Sequence, residues 1–162
     1  MSFQPQEPKI VSKGAFLIAG MRYQGKNEHG EIPAMWELFL PRISELVGSQ
    51  AQGFEAYGVA RSLPDFDKSG EFEYLAAVEA KSLDNLPEGM TGWQIPAYTY
   101  AVLPAQDVPG IGPVSHYYYQ EWLPKSQEYE MDGNLMMEVY PETYSQDLVI
   151  YLYFPVKRKS KG

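Results

Sequence analysis

A chain of 162 residues with no cysteine excludes a disulfide framework, a cysteine-bearing zinc site and a thiol nucleophile. The formal net charge of −8 argues against a nucleic-acid surface, which needs Lys and Arg to neutralise phosphates, and favours a cationic ligand. Thirteen tyrosines against seven phenylalanines put a polar handle on much of the aromatic area, which suits a binding surface as well as a core.

Residues 1–9 are polar, contain proline and are expected to fray. They hold no apolar h-region, and no later run reaches the length of a membrane span, so the expected location is cytoplasmic. Residues 13–24 alternate Ala15, Leu17, Ala19 and Met21 with Phe16, Ile18 and Gly20, which predicts a strand apolar on both faces. A helix follows, with Trp36, Phe39, Leu40, Ile43, Leu46 and Val47 on one stripe. Pro33 stands near its start, Pro41 should kink or divide it, and Gly48 closes it. Residues 54–63 and 71–82 read as strands, the second on the regular alternation of Phe72, Tyr74, Ala76, Val78 and Ala80.

Residues 93–103 predict another strand, with Pro96 marking an edge or bulge early in it. Residues 114–123 predict a second helix on the stripe Val114, Tyr117, Tyr118, Trp122, ended or kinked by Pro124. Residues 135–140 and 148–156 are the last two strands. The order is β-α-β-β, twice. The residues repeat as well. Phe39-Leu40-Pro41-Arg42 matches Trp122-Leu123-Pro124-Lys125, and fourteen positions beyond each proline stands a glutamate, Glu55 and Glu138. The expected fold is α+β: one domain over 1–162 made of duplicated β-α-β-β units, about 10–82 and 92–157. The two units are expected to be related by a pseudo-twofold, with antiparallel sheets and two helices around a central cleft.

Glu138 is the odd residue, a carboxylate among Leu135, Met136, Met137, Val139 and Tyr140. Alternation alone leaves it on an open face or turned inward. Turned inward, it would have its desolvation offset by a lipophilic cation, with aromatic faces adding cation–π attraction. Tyr57 and Tyr140 lie two residues beyond the paired glutamates and so share their strand faces. The candidate ligand-binding set is Glu138, Tyr140, Trp93, Tyr57, Glu55, Trp122 and Tyr118. His29 and His116 are far apart, no metal-ligand spacing is present, and no phosphate-cradling glycine loop occurs, so neither metal nor cofactor is expected.

In order and spacing the chain resembles the GyrI-like small-molecule-binding domain, which is also the effector-binding domain of AraC-type and MerR-type regulators. The resemblance covers roughly residues 9–157. It is carried by Gly20-Met21-Arg22, Ile32-Pro33, Tyr57-Gly58-Val59, Leu86-Pro87-Glu88-Gly89-Met90, Ile95-Pro96-Ala97, Trp122-Leu123-Pro124-Lys125-Ser126, Glu138-Val139-Tyr140 and Pro155-Val156-Lys157. It implies an aromatic-lined cleft with Glu138 on the penultimate strand as counter-charge to a cationic ligand. The segment from Ala105 to Gly110 departs from the basic-Gly segment usual there, and Met136-Met137 stand where an aromatic is more usual. With no helix-turn-helix before it, the domain is expected to stand alone, as a monomer or homodimer that sequesters or senses small amphipathic molecules. Two alternatives remain. One, which the resemblance permits, is a hydrolase with Glu138 as general base; the other is an interaction module whose protein partner is DNA gyrase.

Overall fold

The computed structural model describes residues 6–46, 51–64 and 66–160, the side chains of 51–54 excepted. The first element, β1 (Lys9–Lys13), belongs to the second of two compact units. The first unit is Ala15–Pro96. It runs β2 (Phe16–Gly25), α1 (Glu31–Phe39), a 3-10 turn (Leu40–Glu45), β3 (Ala51–Ser62), α2 (Phe66–Ser69), β4 (Phe72–Ala80) and β5 (Thr91–Ile95). Its strands are antiparallel in the order β3-β4-β2-β5. Ala19, Tyr74, Ala76, Val78 and Ala80 face α1 and its extension, where Met35, Phe39 and Leu46 are buried against them. Each such large side chain contributes about 1.5–3 kcal/mol on leaving water. The sheet is tight at Gly20, where a Cβ would collide with the backbone of Ala76 and Ala77.

The second unit joins β1 to the residues after Pro96. It runs β6 (Tyr98–Gln106), a 3-10 turn (Val108–Gly110), α3 (Ile111–Tyr117), a π turn (Tyr118–Trp122), α4 (Leu123–Lys125), β7 (Tyr129–Met131), β8 (Leu135–Tyr140), α5 (Tyr144–Asp147) and β9 (Val149–Arg158). The sheet order is β8-β9-β6-β1, with β7 also on β9. Ala101, Leu103, Ala105, Ile150, Leu152, Phe154 and Val156 face the helix and enclose Val114 and Tyr118. In each unit a helix follows the strand that opens the repeat, β2 or β6, and the sheet order β3-β4-β2-β5 is matched by β8-β9-β6-β1, so the α+β duplication read from the residues is present in the topology. The added strand differs: β5 follows its unit in sequence, whereas β1 precedes its own.

The two Leu-Pro steps act differently. Proline has no N–H and its ring clashes with the carbonyl four residues back. At Pro41 the helix tightens to a 3-10 turn from Leu40. Before Pro124 it widens to a π turn, and the Leu123 N–H reaches back to the Tyr118 carbonyl. Leu40, expected on the apolar stripe, is 56 % exposed. Val47 and Gly48 lie outside the described residues.

Two further expectations are corrected. Residues 93–103 are not one strand: Pro96-Ala97 breaks them into β5 and β6, and β5 pairs with β2 while β6 pairs with β9 and β1. A proline that cannot donate to a ladder here ends one strand rather than bulging it. Lys9, counted among the fraying residues, begins β1, which is held on β6 from Lys9↔Val102 to Lys13↔Tyr98. The three-residue β7 lacks enough alternation to be read from sequence.

Candidate functional site

Along β8 burial alternates strictly. Leu135, Met137 and Val139 are buried; Met136, Glu138 and Tyr140 are half-buried. Glu138 pairs with Leu152 of β9, which pairs with Leu103 of β6. Leu152 and Leu103 belong to the cluster under α3, and Met136 and Tyr140 pack against the same cluster. Residues directly opposite in an antiparallel sheet share a face. Glu138 is therefore on the helix-bearing face, at the end of an apolar row.

The Tyr140 hydroxyl donates to Oε1 of Glu138 at 2.8 Å. The Tyr140 ring meets that of Tyr144 edge to face, with centroids 5.2 Å apart. The Tyr144 hydroxyl donates in turn to Oδ1 of Asp107 at 2.6 Å. This bond, with the Val108 N–H on the same oxygen, holds the Asp107 carboxyl below its usual range. The same bond, aided by burial, pushes Tyr144 up to about 12. Two carboxylate–tyrosine pairs are thus joined through their rings.

Tyr118 and Trp122 lie in the π turn. Tyr118 is fully buried, stacked on Phe154 at 3.9 Å on one side and on Trp122 at 5.8 Å. Burial pushes its hydroxyl well up, and that hydroxyl finds no partner among the described residues. Trp122 continues the stack to Tyr129 and donates its Nε1 to Oε1 of Glu7 at 3.1 Å. It borders an open groove of about 580 Å³ with Tyr117, Glu121, Lys125 and Tyr129.

The other three candidates lie in the first unit. Trp93 is 8 % exposed, and the Arg61 guanidinium sits over its ring at 3.6 Å. Glu73 fixes that guanidinium at 2.7 Å and holds Arg22 at 2.8 Å. Tyr57 is buried beside Phe16, with rings 5.6 Å apart. Glu55 is exposed. Tyr57 pairs with Ala77, out of phase with the helix-facing Val78 and Ala76. Tyr57 is therefore on the helix-free face of its sheet, whereas Tyr140 is on the helix-bearing face of its own. The ungapped repeat pairs the right strands one residue out of phase. An irregularity in β3 between Ala51 and Ala56 accompanies the mismatch, and one residue of slip exchanges the faces.

Sequence reasoning missed Asp107, Tyr144 and Arg61. The turn chemistry of Asp107-Val108-Pro109-Gly110 was a signal, but nothing local shows a partner 37 positions on.

Comparison with known proteins adds three findings. A family model described as integron-associated effector binding protein, Cass2, matches residues 9–156. The transcriptional regulator BrlR of Pseudomonas aeruginosa is 37 % identical over 94 residues, which are 58 % of this chain and 33 % of that regulator. The match thus spans a third of the relative's length. Among solved structures, SAV2435 bound to tetraphenylphosphonium superposes with a TM-score of 0.69 at 17 % identity, covering 94 % of each chain. The integron cassette protein of Vibrio cholerae does so at 0.63 and 16 % identity, covering 94 % of this chain and 97 % of that one. At these identities the likeness is one of fold.

Proposed function

The chain belongs to the integron-associated effector-binding protein family, and from that premise we propose that it takes up a small amphipathic molecule, cationic or aromatic, with Glu138 as counter-charge. The observation that carries the reading is the position of Glu138. It is half-buried in a row with Leu152 and Leu103, between Met136 and Tyr140 on its own strand. A carboxylate drawn out of water beside apolar side chains gains from a ligand that brings its own positive charge and little hydration. The faces of Tyr140 and Tyr144 would add cation–π attraction of about 0.5–2 kcal/mol. Tetraphenylphosphonium, the molecule bound in the SAV2435 structure, is a ligand of this class.

The test is equilibrium titration with tetraphenylphosphonium, followed by tryptophan fluorescence or calorimetry, on the native chain and on Glu138→Gln. Glutamine keeps the shape and removes the charge. Affinity is expected to fall by about tenfold or more, as for a charged pair losing one partner. Equal affinity in the two proteins would remove the counter-charge role.

A further inference from the structure

We propose that Asp107 is a positioning residue of the Glu138 site, acting through Tyr144 on Tyr140. This rests on Glu138 being the ligand's counter-charge. Asp107 has φ 57° and ψ −179°, a conformation entered almost only by glycine. A strained residue persists where its surroundings over-determine it, and here the constraints are explicit. Its N–H donates to the Leu148 carbonyl at 2.7 Å, and its own carbonyl accepts from Gly110 at 3.0 Å. Its Oδ1 accepts from Val108 N–H at 2.8 Å and from the Tyr144 hydroxyl at 2.6 Å. Leu148, the residue that receives its N–H, is itself left-handed at φ 57°.

Two segments are tied together by these contacts. One is the turn that opens into α3. The other is the β8–β9 connection, which carries Tyr144 in α5. Gln106 adds a third tie, its Nε2 donating to the carbonyl of Asp147 at the end of α5, at 3.0 Å. Tyr144 held at its hydroxyl presents its ring to Tyr140 at a fixed angle. Tyr140 held at its ring presents its hydroxyl to Glu138. The carboxylate is thereby oriented before a ligand arrives, and preorganisation of this kind raises affinity without a new contact to the ligand. The Asp107 side chain caps the turn at Val108 with the same oxygen that meets Tyr144.

Three variants of the whole chain test this, with tetraphenylphosphonium as the probe and melting temperature measured alongside. Asp107→Gly removes the carboxylate and relieves the backbone. Its melting temperature is expected to match or exceed the native value while Kd rises about fivefold, a typical size for coupling between contacting residues. Tyr144→Phe keeps the ring but not the tie, and a similar rise is expected. Asp107→Asn keeps an acceptor oxygen for both Tyr144 and Val108, and is expected to return Kd to within about twofold of native. If Asp107→Gly and Tyr144→Phe both bind as the native chain does while Glu138→Gln does not, the positioning role is overturned and the Glu138 reading stands. If Glu138→Gln also binds as the native chain does, both fall. If Asp107→Gly loses stability as well as affinity, Tyr144→Phe decides. Weaker binding by Tyr144→Phe that is still fully folded at the assay temperature supports the role, and native binding overturns it.

Discussion

Tyr140 gives its hydroxyl to the Glu138 carboxylate from two positions along the same strand, at 2.8 Å. In a strand, residues i and i+2 share a face, so the pair needs no tertiary coincidence to form. Bonds to a charged acceptor are worth about 1.5–3 kcal/mol. Tyr140→Phe should therefore weaken tetraphenylphosphonium binding on its own, by about threefold to tenfold, yet add nothing to Glu138→Gln. A double-mutant cycle by calorimetry checks this. Additive losses would mean that the two side chains meet the ligand independently.

Gly20 is predicted to tolerate no side chain. Its Cβ would lie within the backbone of Ala76 on the neighbouring strand, so β2 and β4 would have to part. Gly20→Ala should cost at least about 1–3 kcal/mol, the usual range for overpacking. Gly14 is exposed and an added Cβ there meets nothing within 4 Å, so Gly14→Ala is the control, expected within about 0.5 kcal/mol of native. Urea denaturation of both variants separates the cases.

Tyr118→Phe should stabilise the chain. The stack on Phe154 and Trp122 uses the ring alone, and the buried hydroxyl lacks a partner among the described residues. Removing an unsatisfied polar atom from such a place is worth about 1 kcal/mol or more. Thermal melting should show a higher midpoint, and a lower one would mean that the hydroxyl is bonded in solution.

The Tyr144–Asp107 tie has a defined pH window. Tyr144 holds its proton up to about 12 in the folded chain, against an ordinary 10.0. A raised value means that the contribution is complete below pH 10.0 and is lost as pH climbs through about 12. On the acid side Asp107 is shifted down from 3.8, so its share is present above that pH and is lost as pH falls through the lowered value. The stability difference between the native chain and Tyr144→Phe, followed by melting across pH, should be flat between these limits and shrink beyond both.

Much of this architecture could be read from residue order because it is local. Alternation along Leu135 to Tyr140 is obeyed residue by residue, and each Leu-Pro step interrupts its helix as proline must. What escaped depends on phase or on distant partners. The equal spacing of Glu55 and Glu138 from their prolines is real, yet the 3-10 turn and the irregular start of β3 consume residues differently from the π turn and β7. Equal counting therefore arrives on opposite faces. Asp107 and Tyr144 are ordinary turn and helix residues until the fold brings them to 2.6 Å. Trp93, which shows no core partner in the sequence, already carries a guanidinium on its face, supplied from β3.

The phase difference between the units bears on stoichiometry. Two faithful copies would offer two carboxylates on helix-bearing faces. In the first unit the row equivalent in face to Glu138, Leu152 and Leu103 is Ala56, Val78 and Ala19, with no charge in it. A chain with one such carboxylate among its described helix-facing rows should titrate with a single equivalent and respond to dose hyperbolically. Any steeper response would have to come from association between chains.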